Sequence, residues 1–410
     1  KVDMKILMLG WELPPHNSGG LGVACLNLSK SLAKMGADID FVVPYKSDHH
    51  FDYMNVLSAT TINPKYIYGR VTAYESKNIE KKLVLEEDTC KSFSIRDMQH
   101  DYCEFIERYL MHYKPDIVHA HDWLTYEAGI LAKKNYGIPL VAHVHATEFD
   151  RGGANGGSPL IHQIEYQGLL WADKIIAVSQ ATKDIIVERY GIPADKIDVA
   201  YNGFTTPSDD YHYDGSSYQY LESLKSKGYT VVSTVGRFTL QKGLFHLMRA
   251  AARAISLHPK FVFLFAGDGE QKDELMRMSA ELGISQNVIF TGFIRGKQLR
   301  DIYSISDIFV MSSVSEPFGL TALEAAHHGN ALIITKQSGV GEVLSSIVRY
   351  DFWDEDKLAG ALVNIAESPA LESTLQDGIR HEYTRISWDD VAEKCMQVYD
   401  EVEKHKRNRF

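Results

Sequence analysis

The sequence has no run of about 18 apolar residues, which disfavours a membrane-spanning helix. It begins KVDMKILMLGW, with Lys1 rather than Met, and contains no signal-peptide cleavage pattern. The four cysteines (Cys25, Cys90, Cys103 and Cys395) are scattered and lack CxxC spacing. This pattern predicts reduced thiols in a cytoplasmic protein and no zinc site.

The sequence also has no excess of basic residues. It contains 43 Lys and Arg and 54 Asp and Glu, which give a formal charge of −11. Such a charge disfavours nonspecific nucleic-acid binding as the main role. Neither internal repeats nor low-complexity tails occur. The length of 410 residues exceeds what one ordinary hydrophobic core needs, so two domains are expected.

The sequence does contain a regular alternation of short β-branched runs and amphipathic helical stretches. The first series of runs reads MKILML (4–9), IDFVV (39–43), DIVHA (116–120), PLVAHV (139–144), KIIAVS (174–179) and KIDVA (196–200). The second series reads TVVSTV (230–235), FVFLFA (261–266), NVIFT (287–291), DIFVM (307–311) and ALIIT (331–335). Continuous apolar strands between helices are typical of parallel sheets covered on both faces. We therefore predict an α/β fold with two Rossmann-like, doubly wound domains.

A polar, turn-rich stretch at residues 202–220 marks the predicted domain boundary. We assign residues 1–205 to the first domain and 206–386 to the second. Residues 46–97 interrupt the alternation and are interpreted as an insertion or an elaborated β/α connection. Ligands of open parallel sheets bind beyond the carboxyl ends of the strands, so two facing domains would form an inter-domain cleft.

The segment GRFTLQKGL (236–244) follows the strand TVVSTV and places Arg237 and Lys242 five residues apart before a helix. Two cations beside a loop and a helix start suit a pyrophosphate, which needs positive charge and directed N–H donors. Two solvated surface cations are the alternative interpretation of the same pattern.

The segment SEPFGLTALEAAHHGN (315–330) follows the strand DIFVM and holds Glu316 and Glu324 eight positions apart. Gly319 lets the backbone approach a ligand closely. A helix predicted to start near Leu320–Thr321 would present free N–H groups and a positive dipole end, where an anion belongs. A carboxylate before the turn would accept bonds from sugar hydroxyls, and one on the helix from ribose hydroxyls. A capping residue and an exposed helix acid are the alternatives.

Together these two segments resemble the retaining two-Rossmann (GT-B) glycosyltransferases. EPFGLTALE is similar to their E-x7-E motif, and TLQKGL to the donor loop of bacterial glycogen and starch synthases. Three further segments match in order and spacing: NSGGLG (17–22) resembles the donor-side glycine loop, HAHDW (119–123) the acceptor-side motif, and HVHATEFDR (143–151) the loop with the active-site histidine. The resemblance covers nearly the whole chain.

The resemblance implies four catalytic residues. Arg237 and Lys242 would hold the donor diphosphate, Glu316 the transferred sugar, and His145 the sugar near the reacting carbon. Other positions would contact the donor: Gly19, Gly20, Leu21, Gly267, Ile294, Phe318, Gly319, Leu320, Thr321 and Glu324.

For Gly267, a plain turn is the alternative interpretation.

The resemblance also implies that Asp122, Trp123 and Arg151 meet the acceptor. A strand-end Asp122 would also suit a helix cap. The last helix, within 387–410, would pack back on the first domain.

Two departures concern the acceptor. Bacterial glycogen and starch synthases usually have a lysine where this chain has Asn17, and they often lack an acid at the position of Glu324. HATEFDR, conversely, resembles the loop of glucan-elongating synthases. The resemblance implies transfer of a glucosyl unit from ADP-glucose or UDP-glucose to an α-1,4-glucan, with a small-sugar (trehalose- or sucrose-type) or lipid-linked acceptor as the alternative.

The reaction implied by the resemblance retains the anomeric configuration, without a covalent carboxylate nucleophile. The pairs His119/His121 and His143/His145 have strand spacing, but no organised further ligand is evident, so neither a metal nor another cofactor is expected. A nucleotide-sugar epimerase and a non-catalytic nucleotide-sugar-binding module are alternatives on the same scaffold. Nucleic acid and stable membrane insertion are not expected.

Overall fold

The structure is a computed structural model in which the described residues are 4–16, 19–64, 83–84, 92–153, 156–207 and 210–407. The chain forms two compact units: the first comprises Lys1–Gly203 and Ser387–Phe410, and the second comprises Phe204–Ile386. The division thus lies two residues before the predicted boundary. Within the described ranges, no helix combines the length and apolar character needed to cross a membrane. The cytoplasmic location stays a prediction.

The first unit is built on seven parallel strands: β1 (Lys5–Leu9), β2 (Asp38–Val43), β3 (Asn55–Ser58), β6 (Ile117–His121), β7 (Leu140–Val144), β8 (Lys174–Ala177) and β9 (Ile197–Val199). Their order in the sheet is β3-β2-β1-β6-β7-β8-β9. Strands β6 and β7 are buried along their whole length, as a sheet covered on both faces requires. A separate antiparallel pair consists of β4 (Leu83–Val84) and β5 (Ser92–Phe93).

Before Gly203, the described residues of the first unit form six helices: α1 (Gly20–Lys34), α2 (Ile95–Leu110), α3 (Trp123–Tyr136), α4 (Glu148–Gly152), α5 (Pro159–Trp171) and α6 (Gln180–Tyr190). Local sequence sets several of their ends. Ser94 and Asp97 form a reciprocal capping box at the start of α2. Helix α3 ends at Gly137, whose left-handed conformation (φ 65°) suits glycine.

The described part of the stretch 46–97 contributes one strand to the main sheet, which the sequence pattern did not reveal. Strand β3 pairs in parallel with β2, with Phe41 opposite Val56. It is a half-buried edge strand of only four residues, so it lacks the continuous apolar run that identified its neighbours. Within this stretch, residues 65–82 and 85–91 lie outside the described residues.

The second unit is built on six parallel strands: β10 (Thr230–Val235), β11 (Phe261–Ala266), β12 (Val288–Gly292), β13 (Ile308–Met311), β14 (Ala331–Thr335) and β15 (Val348–Tyr350). Their order is β12-β11-β10-β13-β14-β15, which is the doubly wound arrangement with a switch point between β10 and β13. The predicted fold class is therefore confirmed.

Both faces of this second sheet are covered by helices: α7 (Gln219–Ser226), α8 (Leu244–Leu257), α9 (Lys272–Glu281), α10 (Lys297–Ile305), α11 (Leu320–His327), α12 (Glu355–Glu367) and α13 (Pro369–Tyr383). The side chains of strand β11 explain why both faces need to be covered. Phe261, Phe263 and Phe265 pack into one hydrophobic cluster, while Val262 and Leu264 pack into another. Alternate side chains of a strand point to opposite faces, so both faces of the sheet are apolar and buried.

The last helix, α14 (Trp388–Arg407), belongs to the first unit, where it packs against α1 and β8. Its apolar stripe of Val391, Cys395, Val398 and Val402 is buried. The chain therefore returns to its first unit after completing the second.

Candidate functional site

Two loops meet at the carboxyl edge of the second sheet. The 236–243 loop follows β10, and the 312–319 loop follows the neighbouring strand β13. Gly243 ends the first loop in a left-handed conformation (φ 61°), and a Cβ there would lie 2.1 Å from the carbonyl oxygen of Ser312. Glycine is required because this backbone contact leaves no room for a side chain.

Hydrogen bonds join the two loops at three points. Ser312 donates from Oγ to the Lys242 carbonyl oxygen at 2.8 Å, and the Val314 amide donates to the Gln241 carbonyl oxygen at 2.8 Å. The Gln241 side-chain amide donates to the Ser315 carbonyl oxygen at 2.9 Å. Side chains carried by either loop are therefore held at fixed positions relative to the other loop.

Four of the predicted donor residues, Arg237, Lys242, Glu316 and Thr321, line one pocket at these loops. The Lys242 ammonium and the Ser313 hydroxyl both donate to the same Glu316 carboxylate oxygen, the latter at 3.1 Å. The pocket thus combines two cations with an anchored carboxylate. Sequence reasoning missed Ser313, for which closeness to the E-x7-E motif was the available signal.

Helix α11 starts at Leu320, which confirms the start predicted near this residue. Gly319 before it has a φ of 112°, and a Cβ there would lie 2.8 Å from the Met311 sulfur. The preceding Phe318 is buried, and its carbonyl oxygen accepts a 2.7 Å bond from the Val340 amide. The first amides of a helix have no partner inside it and lie at the positive end of its dipole, so this start suits an anion.

Glu324 lies one turn inside α11 and is half-buried. Burial raises the pKa of its carboxyl group, which a hydrogen bond from Tyr303 opposes. That bond, from the Tyr303 hydroxyl to Glu324 Oε2, measures 2.7 Å. Tyr303 comes from α10, and no sequence pattern linked it to the site.

Gly267 and Ile294 lie at the ends of neighbouring strands rather than among the residues that line this pocket. The Gly267 amide donates to the Gly292 carbonyl oxygen at 3.1 Å. Its φ of 144° excludes most side chains, and a Cβ would lie 1.9 Å from the Gly236 carbonyl oxygen. Gly267 therefore allows the loop after β11 to approach the loop after β10, while Ile294 packs against a core cluster.

In the first unit, the two predicted histidine pairs form one stacked group, the histidine quartet (His119, His121, His143 and His145). Nε2 of His119 lies 3.0 Å from Nδ1 of His143, and Nδ1 of His121 lies 2.9 Å from Nε2 of His145. Nδ1 of His119 lies 2.5 Å from the hydroxyl of Tyr399 on α14. The rings of His143 and His145 stack with centroids 4.3 Å apart.

Burial keeps the quartet neutral. It lowers the pKa of both His119 and His145 to about 3, with the nearby His145 contributing to the shift of His119. Three buried ring nitrogens, Nε2 of His121, Nε2 of His143 and Nδ1 of His145, have no hydrogen-bond partner among the described residues. Neutral imidazoles can donate or accept a hydrogen bond, so His145 can contact a sugar hydroxyl without carrying charge.

Asp122 holds the backbone of the loop that carries His145. Its buried carboxylate accepts from the amides of His145 and Ala146, at 2.7 and 3.4 Å. Its φ of 59° is exceptional for a non-glycine residue, and such strain clusters at functional sites. Burial raises the pKa of Asp122 to about 7, against the opposing effect of Arg151. No amide of α3 donates a capping hydrogen bond to the Asp122 side chain, so the expected helix cap is not formed.

Arg151 is buried in an ionic network next to the same loop. Its guanidinium lies 3.0 Å from Glu148 and 2.5 Å from Glu165, and it donates to the Ala146 carbonyl oxygen at 3.3 Å. Burial alone would lower the pKa of Arg151, but Glu165 and Glu148 together raise it. Trp123 is fully buried as well. These contacts indicate that Asp122 and Arg151 position the His145 loop, and their burial does not favour direct contact with an acceptor.

Gly19, Gly20 and Leu21 form the start of α1, where Gly19 is the N-cap and Gly20 the first helical residue. The preceding positions 17–18 of the glycine motif lie outside the described residues. Helix α1 follows β1, so its start lies at the carboxyl edge of the first sheet.

Three groups of side chains within the described residues have a spacing that suits a metal ion. Two draw on the histidine quartet: His119 with His121 and His143, and Cys25 with His121 and His145. In both, ring nitrogens are already hydrogen-bonded to one another, and burial raises the pKa of the Cys25 thiol. The third group consists of His16, Asp48 and His49.

Known proteins resemble this chain in sequence and in fold. Residues 18–206 match the family described as glycosyltransferase family 4, and residues 221–373 match glycosyl transferases group 1. A sucrose-phosphate synthase from Thermosynechococcus elongatus, of GT-B fold, superposes with a TM-score of 0.74 over 98% of this chain and 99% of its own, at 17% identity. The chain is a GT-B glycosyltransferase.

Two relatives extend the similarity of this glycosyltransferase over nearly its whole length. An uncharacterised glycosyltransferase of Methanocaldococcus jannaschii is 27% identical over 410 residues, covering 97% of this chain and 98% of its own. A glycogen synthase of Mycobacterium tuberculosis is 27% identical over 413 residues, covering 97% and 94% respectively.

Proposed function

We propose that this chain is a retaining, metal-independent hexosyltransferase that moves a glucosyl unit from a nucleotide diphosphate sugar to a hydroxyl of an α-1,4-glucan. The observation that carries the proposal is the second-unit pocket, where Arg237 and Lys242 lie with Glu316 and Thr321 beside the start of α11. Similarity to a glycogen synthase supports the glucan acceptor.

The pocket suits a sugar diphosphate because it offers separate partners for each part of the donor. The Glu316 carboxylate forms an ion pair with the Lys242 ammonium across the pocket. With donor, the diphosphate oxygens would bind Arg237, Lys242 and the amides at the start of α11. Glu316 would then accept bonds from hydroxyls of the transferred sugar. Positive groups fixed where charge develops are usually the largest contribution to catalysis.

We assign the ribose of the donor to Glu324. Tyr303 holds the Glu324 carboxylate by one oxygen and leaves the second available for a ribose hydroxyl. Main-chain groups of Gly267, Ile294 and Phe318 would complete the donor contacts, as the resemblance implies.

His145 would bind a hydroxyl of the transferred sugar as a neutral imidazole, since burial lowers the pKa of His145 to about 3. Asp122 and Arg151 act on this histidine through the backbone of its loop. Gly19–Leu21, at the start of α1, would contact the donor. Asp122, Trp123 and Arg151 stay predicted acceptor residues, although their burial favours a role in holding this loop.

The proposed reaction breaks the bond between the anomeric carbon and the donor phosphate oxygen and forms one from that carbon to the acceptor oxygen. The acceptor proton passes to an oxygen of the departing diphosphate. Attack occurs on the face that the diphosphate leaves, so the configuration is retained without a covalent enzyme intermediate. Arg237, Lys242 and the start of α11 stabilise the charge that develops on the leaving group.

A small-sugar acceptor of the trehalose or sucrose type is the second candidate. It is favoured by Glu324, an acid that bacterial glycogen and starch synthases often lack and that Tyr303 holds in place here.

A donor-by-acceptor assay tests the proposal. Purified protein receives ADP-glucose or UDP-glucose with a malto-oligosaccharide, glucose or no acceptor, and proton NMR follows product length and anomeric configuration. Glu316→Gln should abolish transfer, because the neutral amide loses the charge that pairs with Lys242 and replaces one acceptor oxygen with a donor. Glu281→Gln, an exposed position at the end of α9, is the matched control and should retain full activity.

Elongated primer with a new α-linkage is the expected result. Transfer only to glucose would keep the glycosyltransferase and replace the glucan by a small acceptor. A β-linked product would overturn retention, and equal activity of the Glu316→Gln and Glu281→Gln variants would overturn the role of the pocket.

A further inference from the structure

A second group of polar side chains lies in the first unit, separate from the histidine quartet. His16 belongs to the loop between β1 and α1, while Asp48 and His49 belong to the connection between β2 and β3. Strands β1 and β2 are parallel neighbours, so both segments leave the same carboxyl edge of the sheet. These three residues do not line the donor pocket, and the proposed transfer assigns them no role.

The three side chains converge. Nε2 of His16 lies 2.5 Å from Oδ1 of Asp48, and the rings of His16 and His49 have centroids 4.9 Å apart at an interplanar angle of 69°. One ring nitrogen from each histidine and one carboxylate oxygen lie within 4.8 Å of one another. Small side-chain rotations would bring all three atoms onto one cation.

The surrounding residues fix this arrangement. The hydroxyl of buried Tyr45 lies 3.2 Å from Nε2 of His49, and the ring of Phe51 stacks on His49 at 5.6 Å. The His49 amide donates to Ser47 Oγ at 3.1 Å, and the Ser47 amide donates to Ser58 Oγ at 2.8 Å. Outer hydrogen bonds of this kind orient the ligand side chains of metal sites.

The ligand chemistry identifies the class of cation. Two imidazoles and a carboxylate suit a divalent first-row metal, and zinc commonly takes three such protein ligands with water in the fourth position. Asp48 is 75% exposed at its side chain, which gives an ion a path of entry. We propose that His16, Asp48 and His49 form a zinc-binding site.

A surface ion pair between His16 and Asp48 is the simpler explanation of their contact, but it leaves the third side chain unexplained. The His49 ring lies edge-on to the His16 ring, so a cation shared by the three groups accounts for its placement as well.

Zinc at this site would connect the β1–α1 loop to the β2–β3 connection and thereby stabilise the segment that leads to α1. This role needs no metal in glycosyl transfer. The expectation of no metal site rested on cysteine spacing and on the quartet, and His16, Asp48 and His49 are brought together only by folding.

Zinc binding to the chain, purified without a histidine tag and stripped of metal, tests the proposal by isothermal titration calorimetry. We expect one equivalent of zinc, with affinity reduced at least about tenfold in Asp48→Asn and His49→Gln. Asp48 is exposed, so its variant should fold normally. His50→Gln, an exposed neighbour, is the matched control and should bind zinc like the unmodified chain.

Cys25→Ala distinguishes this site from the buried group of Cys25, His121 and His145. The proposal predicts unchanged zinc affinity in that variant. Zinc should also raise the Tm of the unmodified chain but not that of His49→Gln, because only a folded site binds. No binding at a hundredfold molar excess, binding abolished by Cys25→Ala, or equal affinity in His49→Gln and His50→Gln would overturn it.

Discussion

At the scale of single residues, the sequence identified the charged groups of the second-unit pocket but not what holds them. Arg237, Lys242 and Glu316 occur in recognisable segments, and the structure brings them to one pocket. Their partners arise from tertiary contacts. Tyr303 reaches Glu324 from another helix, 21 positions away, and no local spacing rule predicts such a contact.

Tyr303→Phe should raise the KM for the sugar donor by about tenfold with little change in kcat, because Glu324, which we propose binds the ribose, loses the hydrogen bond that holds its carboxylate. Initial rates over a range of donor concentrations measure both constants. Tyr350→Phe is the matched control, since Tyr350 is also fully buried in the second unit but its hydroxyl has no partner among the described residues.

Equal kinetic constants for the two variants would show that Tyr303 has no role in positioning Glu324. A fall in kcat without a change in KM would instead place Tyr303 in the chemical step.

At the scale of elements, sequence periodicity predicted the buried strands well, because a parallel sheet covered on both faces needs continuous apolar runs. The periodicity did not identify strands that are only partly buried. Strand β3 is a half-buried edge strand, and β15 has three residues, of which Tyr350 alone is buried. The contact between the 236–243 and 312–319 loops was also invisible, because its hydrogen bonds join residues about 70 positions apart.

Gly243→Ala should destabilise the second unit by about 1–3 kcal/mol more than a glycine substitution without a backbone contact. The added Cβ would meet the Ser312 carbonyl oxygen, so the two loops would have to separate. Differential scanning calorimetry measures the loss as a fall in Tm. Gly283→Ala is the control, because its φ of 71° carries a similar conformational cost and no atom lies within 4 Å of the added Cβ.

Donor binding should weaken in Gly243→Ala and remain unchanged in Gly283→Ala. If both variants lost the same stability, the close contact between the loops would not contribute to it.

At the scale of the whole molecule, the sequence predicted two doubly wound domains, and the chain forms two units with parallel sheets. The quartet illustrates what only the assembled unit reveals. His119 and His121 were expected on one face of a strand, but their neutral state follows from burial by other strands and by Tyr399 of α14.

Burial of the quartet predicts acid sensitivity of the first unit. Burial lowers the pKa of His119 to about 3, whereas an unperturbed histidine has a pKa of about 6.5. The unfolded chain therefore binds a proton that the folded chain excludes between these values, so stability rises with pH through this window and is lost as pH falls. His119→Gln removes one histidine that is neutral only in the folded chain. Between pH 5 and 6, the slope of the unfolding free energy against pH should therefore fall by about 1 kcal/mol per pH unit.

Urea unfolding followed by tryptophan fluorescence measures this dependence, because Trp11, Trp123, Trp171 and Trp388 all lie in the first unit. His112→Gln, at an exposed position after α2, should leave it unchanged. An unaltered dependence in His119→Gln would contradict burial of His119 as a neutral group.

The affinity of the free nucleotide diphosphates directly tests our claim that the second-unit pocket holds the donor diphosphate. Calorimetric titration of ADP and UDP into Lys242→Met should give a Kd at least about tenfold higher than in the unmodified chain, since one charge-assisted hydrogen bond is lost. Lys227→Met, an exposed lysine after α7, before β10, should bind like the unmodified chain. Equal affinity of the Lys242→Met variant and the unmodified chain would contradict the claim.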